Sequence, residues 1–180
     1  SCATSLAKHE LVYEKVKDDS IFVKFPVKDK ENEFLIIWTT TPWTIPFNLG
    51  VMVNPNLDYV KAKVDNEVWI VAKALTANLI TDIVEKQFTI LEEIKGSKLE
   101  GIEYTHPFEN DLAQYKELKE KNPKVHTVVL SEEYVDTSSG SGLVHMAPGC
   151  GPEDYEIGRR NDIPPFNTLT EQGIFNEQSG

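Results

Sequence analysis

Short apolar runs of strand length, separated by turn-forming residues, are the feature that most limits how this chain can fold. The run at 34–37 reads Phe-Leu-Ile-Ile and indicates a buried β-strand. The stretch at 57–64 alternates apolar and charged residues, and Asp65-Asn66 turns it into the run at 68–71, which predicts a hairpin. The same pattern predicts strands at 11–16, 21–25, 34–37, 49–53, 57–64, 68–71, 88–94, 126–130 and 143–146.

Helical spacing replaces this alternation in a few places. The apolar residues that recur at helical spacing between 73 and 85 are Leu75, Leu79, Ile80 and Ile83. A mostly polar helix is predicted at 110–121, and another at 152–160, where Pro152 is acceptable in the first turn. Many short strands with about three peripheral helices predict an α+β fold with an antiparallel β-barrel-like core.

The length and composition fit a single domain. A chain of 180 residues with 40% hydrophobic and 26% charged residues can bury a core of ordinary size, so we expect one domain over 1–180. The chain begins with Ser1, without an initiator Met, and ends at Gly180. These ends suggest a segment excised from a longer protein.

Charge and cysteine usage limit the partners. No apolar run reaches the roughly 20 residues of a membrane span, and no signal peptide is visible, so we expect no membrane and a cytoplasmic location. Cys2 and Cys150 are far apart, which predicts no disulfide and, without further close ligands, no metal or other cofactor. The net charge of −11 does not attract a phosphate backbone, so a nucleic acid would be touched only at its end.

The stretch from Trp38 to Asn48 reads W-T-T-T-P-W-T-I-P-F-N. Pro42 and Pro46 each remove a backbone donor and fix φ, so a stiff loop is predicted at the end of the strand. The hydroxyl-bearing residues of this stretch are Thr39, Thr40, Thr41 and Thr44. Because hydroxyls both donate and accept, they suit a ligand with ester and ribose oxygens. The composition also fits a threonine-rich strand end with ordinary β-propensity.

A second segment, from Ser138 to Ile157, reads S-S-G-S-G-L-V-H-M-A-P-G-C-G-P-E-D-Y-E-I. It places His145 near the end of a short strand and Asp154 in the first turn of the following helix. A carboxylate there is favoured by the helix dipole alone, and the histidine also fits a satisfied core residue. At the rim of a threonine pocket, however, the carboxylate could hold a substrate ammonium through charge-assisted hydrogen bonds.

Taken together, the two segments resemble the signature segments of the editing domain of isoleucyl-tRNA synthetase, the connective insertion of that class I enzyme. The resemblance covers nearly the whole chain. Trp43 favours the isoleucyl member, because valyl and leucyl relatives usually read T-T-R-P-[ED]-T at this place. Cys150 departs from the histidine of many family members. The motifs H-I-G-H and K-M-S-K-S are absent, so this segment is not expected to activate amino acids.

The resemblance implies hydrolysis of valine misattached to isoleucine tRNA, with the 3′ end of that tRNA and the remainder of the synthetase as partners. It implies that Asp154 binds the α-ammonium of valine and acts in catalysis, and that His145 lines the side-chain pocket and excludes isoleucine. The residues implied to contact the terminal adenosine and the ester, and to help place the water, are Thr39, Thr40, Thr41 and Thr44. Trp43 and Asn48 are implied to shape the loop and to take part in binding the substrate.

Direct attack by an ordered water is favoured, because the sequence contains no evident Ser/His/Asp or Cys/His triad. Nothing near Cys150 in the sequence points to the lowered pKa that a thiol nucleophile needs. Three other functions stay open at this point. The chain could be a valyl-type domain that removes threonine, a module that binds an aminoacylated RNA 3′ end without chemistry, or a structural insertion.

Overall fold

The computed structural model of the chain describes residues 19–170, 172 and 174. Cys2 and the strand predicted at 11–16 lie outside these residues. The strands are β1 (Ile21–Pro26), β2 (Glu33–Thr39), β3 (Gly50–Val53), β4 (Asp58–Val64), β5 (Glu67–Ala72), β6 (Thr89–Lys95), β7 (Thr127–Leu130) and β8 (Leu143–Met146). Their bounds lie close to those that the sequence predicts.

The strands form one mixed sheet in the order β6-β4-β5-β2-β8-β3-β7, with β1 also paired to β2. β2 is antiparallel to β1, whereas it is parallel to β5 and to β8, and β3 is parallel to β7. The pairs β3–β8, β4–β5 and β4–β6 are antiparallel. The predicted antiparallel core is therefore only partly right. A long crossover connection joins β2 to β5, and another joins β3 to β7, so the two strands of each pair run in the same direction.

Residues 101–105 connect β7 to the chain just after β1. The carbonyl of Ile102 accepts a hydrogen bond from the N–H of Val128 at 2.9 Å, and the carbonyl of Glu103 accepts one from the N–H of Lys28 at 2.9 Å. These bonds bring β1, β2, β8, β3 and β7 into a barrel-like arrangement, as the sequence predicts. β5, β4 and β6 continue the same sheet from β2, and we call these three strands the arm.

β3 is buried on both faces and separates two apolar clusters. Val51 and Val53 point into a cluster that includes Phe25 and Leu35, whereas Met52, between them, points into a second one. This alternation follows from the two-residue period of a strand. The second cluster lies beneath two helices, α1 (Gln114–Lys121) and α2 (Pro152–Arg160). The fold thus fits an α+β domain.

The helices differ from their predicted bounds in two places. α2 matches its prediction, but α1 begins at Gln114 instead of 110. The helix predicted at 73–85 consists of a short 3-10 turn followed by a π-helix, Asn78–Ile83. There the N–H of Val84 donates to the carbonyl of Leu79, five residues earlier, which widens the turn. As a result Ile83, expected on the buried face, is 52% exposed.

Candidate functional site

The threonine stretch begins where β2 ends, at Thr39, and continues as a short 3-10 helix, Pro42–Phe47. The sequence predicts a stiff loop here, and the difference has a local cause. Proline is well tolerated at the start of a helix, because its missing N–H has no partner there and its φ already has the helical value. Ile45 and Phe47 are buried and anchor the helix in the core.

The hydroxyls of Thr39, Thr41 and Thr44 form a continuous chain of hydrogen bonds. The Thr39 and Thr41 Oγ1 atoms are 3.3 Å apart, as are those of Thr41 and Thr44. The N–H of Thr41 donates to Thr39 Oγ1 at 3.0 Å, and Thr44 Oγ1 donates to the Thr41 carbonyl at 2.7 Å. Thr40 is exposed and takes no part in this chain.

His145, on β8, extends the chain through a contact of 3.0 Å between its Nε2 and Thr44 Oγ1. The single proton of Thr44 Oγ1 is already donated to the Thr41 carbonyl, so Nε2 must carry the proton of this contact. It also follows that Thr41 donates to Thr44, and Thr39 to Thr41. Thr39 Oγ1 and Thr41 Oγ1 each therefore keep one free lone pair, with which they can accept a further hydrogen bond, whereas Thr44 Oγ1 is fully used.

Burial sets the charge of His145. The residue is 7% exposed, and burial lowers the pKa of its imidazole to about 4. The ring is therefore neutral at neutral pH. Its Nδ1 carries the lone pair and is buried without a partner among the described residues.

Asp154 lies in the first turn of α2 and is bound to the chain that follows β8. Its Oδ2 accepts a hydrogen bond from the N–H of Ala147 at 2.9 Å. Burial raises the pKa of the Asp154 carboxyl, the bond from Ala147 opposes this shift, and the neighbouring Glu153 adds to it. Burial and the charge of Asp154 also raise the pKa of the Cys150 thiol to about 11, which keeps it protonated.

The remaining candidate residues occupy contrasting environments. Trp43 is 60% exposed at the surface of the 3-10 helix. Asn48, at the other end of that helix, is fully buried, and its Nδ2 donates to the Gly50 carbonyl at 2.7 Å. Tyr104 donates its hydroxyl proton to Asn48 Oδ1. The structure therefore brings together Thr39, Thr41, Thr44 and His145, places Asp154 after the same strand as His145, and leaves Thr40 and Trp43 open to solvent.

Two buried residues that the sequence pattern does not single out support the threonine stretch. His106 Nε2 is 3.0 Å from the carbonyl of Ile45, and the Tyr115 hydroxyl donates to the carbonyl of Pro46 at 2.5 Å. The one available signal is that Tyr115 is an aromatic residue in a mostly polar helix. His106 has no local signature at all.

Other pockets lie away from the threonine stretch. A cavity of about 490 Å³ is lined by Tyr115, His126 and charged residues of the α1 region, and none of the candidate residues lines it. The described part of the chain contains no group of three or more His, Cys, Asp or Glu side chains that could hold a metal ion. No helix within it is long and apolar enough to cross a membrane.

Comparisons with known proteins show the family of the chain. No family model matches the chain. The chain is 47% identical over 182 residues to the isoleucine–tRNA ligase of Pyrococcus furiosus, a match that covers 98% of this chain and 17% of that protein. It is 42% identical over 181 residues to the isoleucine–tRNA ligase of Aquifex aeolicus, covering 97% of this chain and 19% of that protein. The chain thus spans less than a fifth of the length of these relatives.

Solved structures share the fold at lower identity. The editing domain of the Plasmodium knowlesi cytosolic leucyl-tRNA synthetase superposes with a TM-score of 0.58 and 15% identity, over 79% of this chain and 64% of that one. The Plasmodium falciparum domain gives 0.54 and 17%, over 75% and 48%. The fold is that of an editing domain of an aminoacyl-tRNA synthetase. By sequence, the chain belongs to the isoleucyl-tRNA synthetase family of such domains.

Proposed function

We propose that this domain proofreads isoleucine tRNA by hydrolysing the ester of misattached valine. The observation that carries the proposal is the hydrogen-bonded chain from Thr39 to His145, because it joins the two sequence segments that resemble the family's editing site. The physical need for such a site is clear. A synthetic pocket that fits isoleucine excludes valine poorly, since one methylene is worth only about 1–3 kcal/mol.

Asp154 is the proposed binding group for the α-ammonium of valine. Its carboxylate is partly buried and has one oxygen fixed by the N–H of Ala147. An arriving ammonium compensates the buried charge and favours the ionised carboxylate, so the ammonium binds where burial alone disfavours the charge. His145, two residues before Ala147, then lies close enough to border the valine side chain.

The threonine hydroxyls are proposed to hold the water and the substrate hydroxyls. Because Thr39 and Thr41 have free acceptor capacity, they can accept the protons of a water molecule and aim its oxygen at the ester carbonyl carbon. Attack forms the C–O bond to water and breaks the bond to the ribose oxygen. One proton of the water ends on the ribose oxygen, which leaves as a hydroxyl, and the other is released to solvent as valine leaves as a carboxylate. Thr40, exposed and uncommitted, is free to contact the ribose.

A covalent intermediate is less well supported than water attack. The Cys150 thiol is protonated at neutral pH, because its pKa is raised to about 11. Thr44 Oγ1 accepts a hydrogen bond from His145 Nε2, so the imidazole does not act as a base toward that hydroxyl. An ester is labile enough for positioning and carbonyl polarisation to supply much of the rate.

The proposed partners follow from the reaction and from the charge. The domain binds the aminoacylated 3′ end of isoleucine tRNA, while other parts of a synthetase bind the rest of the tRNA. The proposed location is the cytoplasm. A net charge of −11 leaves this domain unsuited to holding a phosphate backbone by itself. No cofactor takes part in the proposed reaction.

A panel of charged tRNAs tests the proposal on the full-length synthetase that contains this domain. Isoleucine tRNA carrying valine, threonine or isoleucine is incubated with the wild-type enzyme, Thr41→Val and Thr40→Val. We expect rapid loss of valine, slow loss of isoleucine and the larger defect in Thr41→Val, which interrupts the hydroxyl chain. Preferred release of threonine would indicate a valyl-type domain, and binding without hydrolysis would indicate a non-catalytic module. Either result overturns the proposal.

A further inference from the structure

The carbonyl of Pro46, next to the end of the threonine-bearing helix, is paired with a side chain from elsewhere in the fold. In a 3-10 helix the carbonyl of Pro46 would accept from the N–H of Leu49, three residues later. That N–H donates instead to the carbonyl of Met146 at 2.9 Å. The Tyr115 hydroxyl, from α1, donates to the Pro46 carbonyl at 2.5 Å in its place.

The preceding carbonyl, of Ile45, receives a second buried donor. The N–H of Phe108 donates to His106 Nδ1 at 3.0 Å, so Nδ1 carries the lone pair and Nε2 carries the proton. Nε2 therefore donates to the carbonyl of Ile45 at 3.0 Å. This carbonyl also accepts from the N–H of Asn48 at 2.9 Å, so both of its lone pairs are used.

The two donors are themselves held firmly in the core. His106 and Tyr115 are 1% and 2% exposed, and their rings are in contact with centroids 4.5 Å apart. His126 stacks on His106 at 5.2 Å and meets Tyr115 edge-on at 4.8 Å. Both donors therefore lie in the core, and the cavity that Tyr115 lines contains none of the candidate site residues.

The carbonyls that they hold immediately follow Thr44, the residue that links the threonine stretch to His145. A shift of the main chain at Ile45 moves Thr44 relative to β8. The His145 imidazole also contributes to lowering the pKa of His106, after the larger effect of burial, which places the two rings within electrostatic reach.

From these contacts we propose that His106 and Tyr115 are positioning residues, which fix Thr44 against His145 by donating hydrogen bonds to the carbonyls of Ile45 and Pro46. The inference rests on the proposed editing function of this site. The hydroxyl chain has contacts of 3.3 Å, which leave little room for displacement before a hydrogen bond is lost. Misplacement of a catalytic group by about 1 Å can cost on the order of a hundredfold in rate.

The test uses the full-length synthetase and measures kcat and KM for release of valine from isoleucine tRNA. Tyr115→Phe removes one hydroxyl and keeps the ring. His106→Leu removes the other donor, and His106→Gln restores an N–H near the position of Nε2. Thr76→Val is the matched control, because it loses a buried hydroxyl-to-carbonyl bond, to Ala72 at 3.0 Å, away from the threonine stretch.

We expect kcat to fall about tenfold or more in Tyr115→Phe and His106→Leu, with KM within about twofold of wild type. His106→Gln should recover most of the loss, and Thr76→Val should behave as wild type. A double-mutant cycle with Thr44→Val sharpens the test, since Tyr115→Phe should have little further effect once the Thr44 hydroxyl is gone.

Equal kcat values in Tyr115→Phe, His106→Leu and the wild type would overturn the inference, as would strictly additive effects in the cycle with Thr44→Val. If His106→Leu does not fold, Tyr115→Phe and His106→Gln still decide. If the proposed function itself is wrong, the result differs from these outcomes, because the wild-type enzyme would then release no valine. Aminoacylation by every variant verifies that the rest of the synthetase remains folded, and a KM near that of the wild type verifies that this domain still binds the charged tRNA.

Discussion

The threonine stretch and the arm of β4, β5 and β6 are stabilised by opposite kinds of polar contact. Around the threonines the contacts are buried and join neutral groups, such as Tyr115 and the carbonyl of Pro46. Between β4 and β6 of the arm, the charged side chains form exposed ion pairs, such as Lys95 with Asp58 at 2.9 Å. Buried neutral bonds demand a close fit and fix atomic positions, whereas exposed ion pairs are screened by water and salt. The threonine stretch is therefore held by contacts that fix its position, whereas the ion pairs between β4 and β6 are not expected to fix theirs.

Acid should distinguish the two regions most strongly. Burial lowers the pKa of His106 and His145 to about 4 and that of His126 to about 3. Between these values and the ordinary 6.5, the unfolded chain binds more protons than the folded one, so stability is complete above pH 6.5 and is lost as the pH falls. Each histidine contributes a slope of up to about 1.4 kcal/mol per pH unit.

Urea unfolding at about pH 7, 6 and 5 measures this loss. The Glu103 carboxyl, whose pKa is lowered to about 2, acts only below this window, and the raised pKa of Asp154 has the opposite sign. His126→Phe should reduce the slope by one proton. A urea midpoint that does not change from pH 7 to pH 5 would contradict the expected burial of neutral histidines.

Removing a carboxylate should matter at the site and not on the arm. Asp154→Ala should weaken binding of a non-hydrolysable valyl-adenosine analogue by on the order of a hundredfold, since an unpaired buried ammonium costs about 3 kcal/mol. Asp58→Ala, on the exposed arm, should bind the analogue as wild type does. Titration calorimetry on both variants provides the comparison, and near-normal affinity in folded Asp154→Ala would reject the ammonium role.

Enlarging the site should change its selectivity by a smaller amount. If the His145 ring fills the space that the extra methylene of isoleucine needs, His145→Ala should begin to release isoleucine from correctly charged tRNA. The gain is limited to the worth of one methylene, about 1–3 kcal/mol. Deacylation of both charged tRNAs by the same full-length variant measures it. If isoleucyl-tRNA stays intact while the fold is preserved, His145 does not exclude isoleucine from the pocket.

Removing an exposed ion pair from the arm should have the smallest effect on stability. Lys95→Met removes the exposed pair with Asp58, and we expect the urea midpoint to stay within experimental error. Raising the salt concentration to about 0.5 M should erase any residual difference between this variant and the wild type. A clear loss of stability that persists at high salt would mean that the ion pairs hold the arm in place.

The sequence by itself determined the local elements and the two segments that meet at the site. β8 and α2 have the bounds that their residues predict, because strand alternation and the proline and carboxylates at the start of α2 are local signals. The threonine stretch follows its strand as expected. The resemblance that these two segments carry agrees with the comparisons over nearly the whole chain.

Only the tertiary structure decided how the strands pair and what holds the site. The parallel pairs and the widened turn at 78–83 follow from packing across the chain, for which no local pattern exists. Thr44 meets His145 across 101 residues, and Tyr115 reaches Pro46 across 69. Contacts of such separation depend on the closure of the whole barrel-like core, because only the packed fold brings a donor to a carbonyl whose own helix leaves it unpaired.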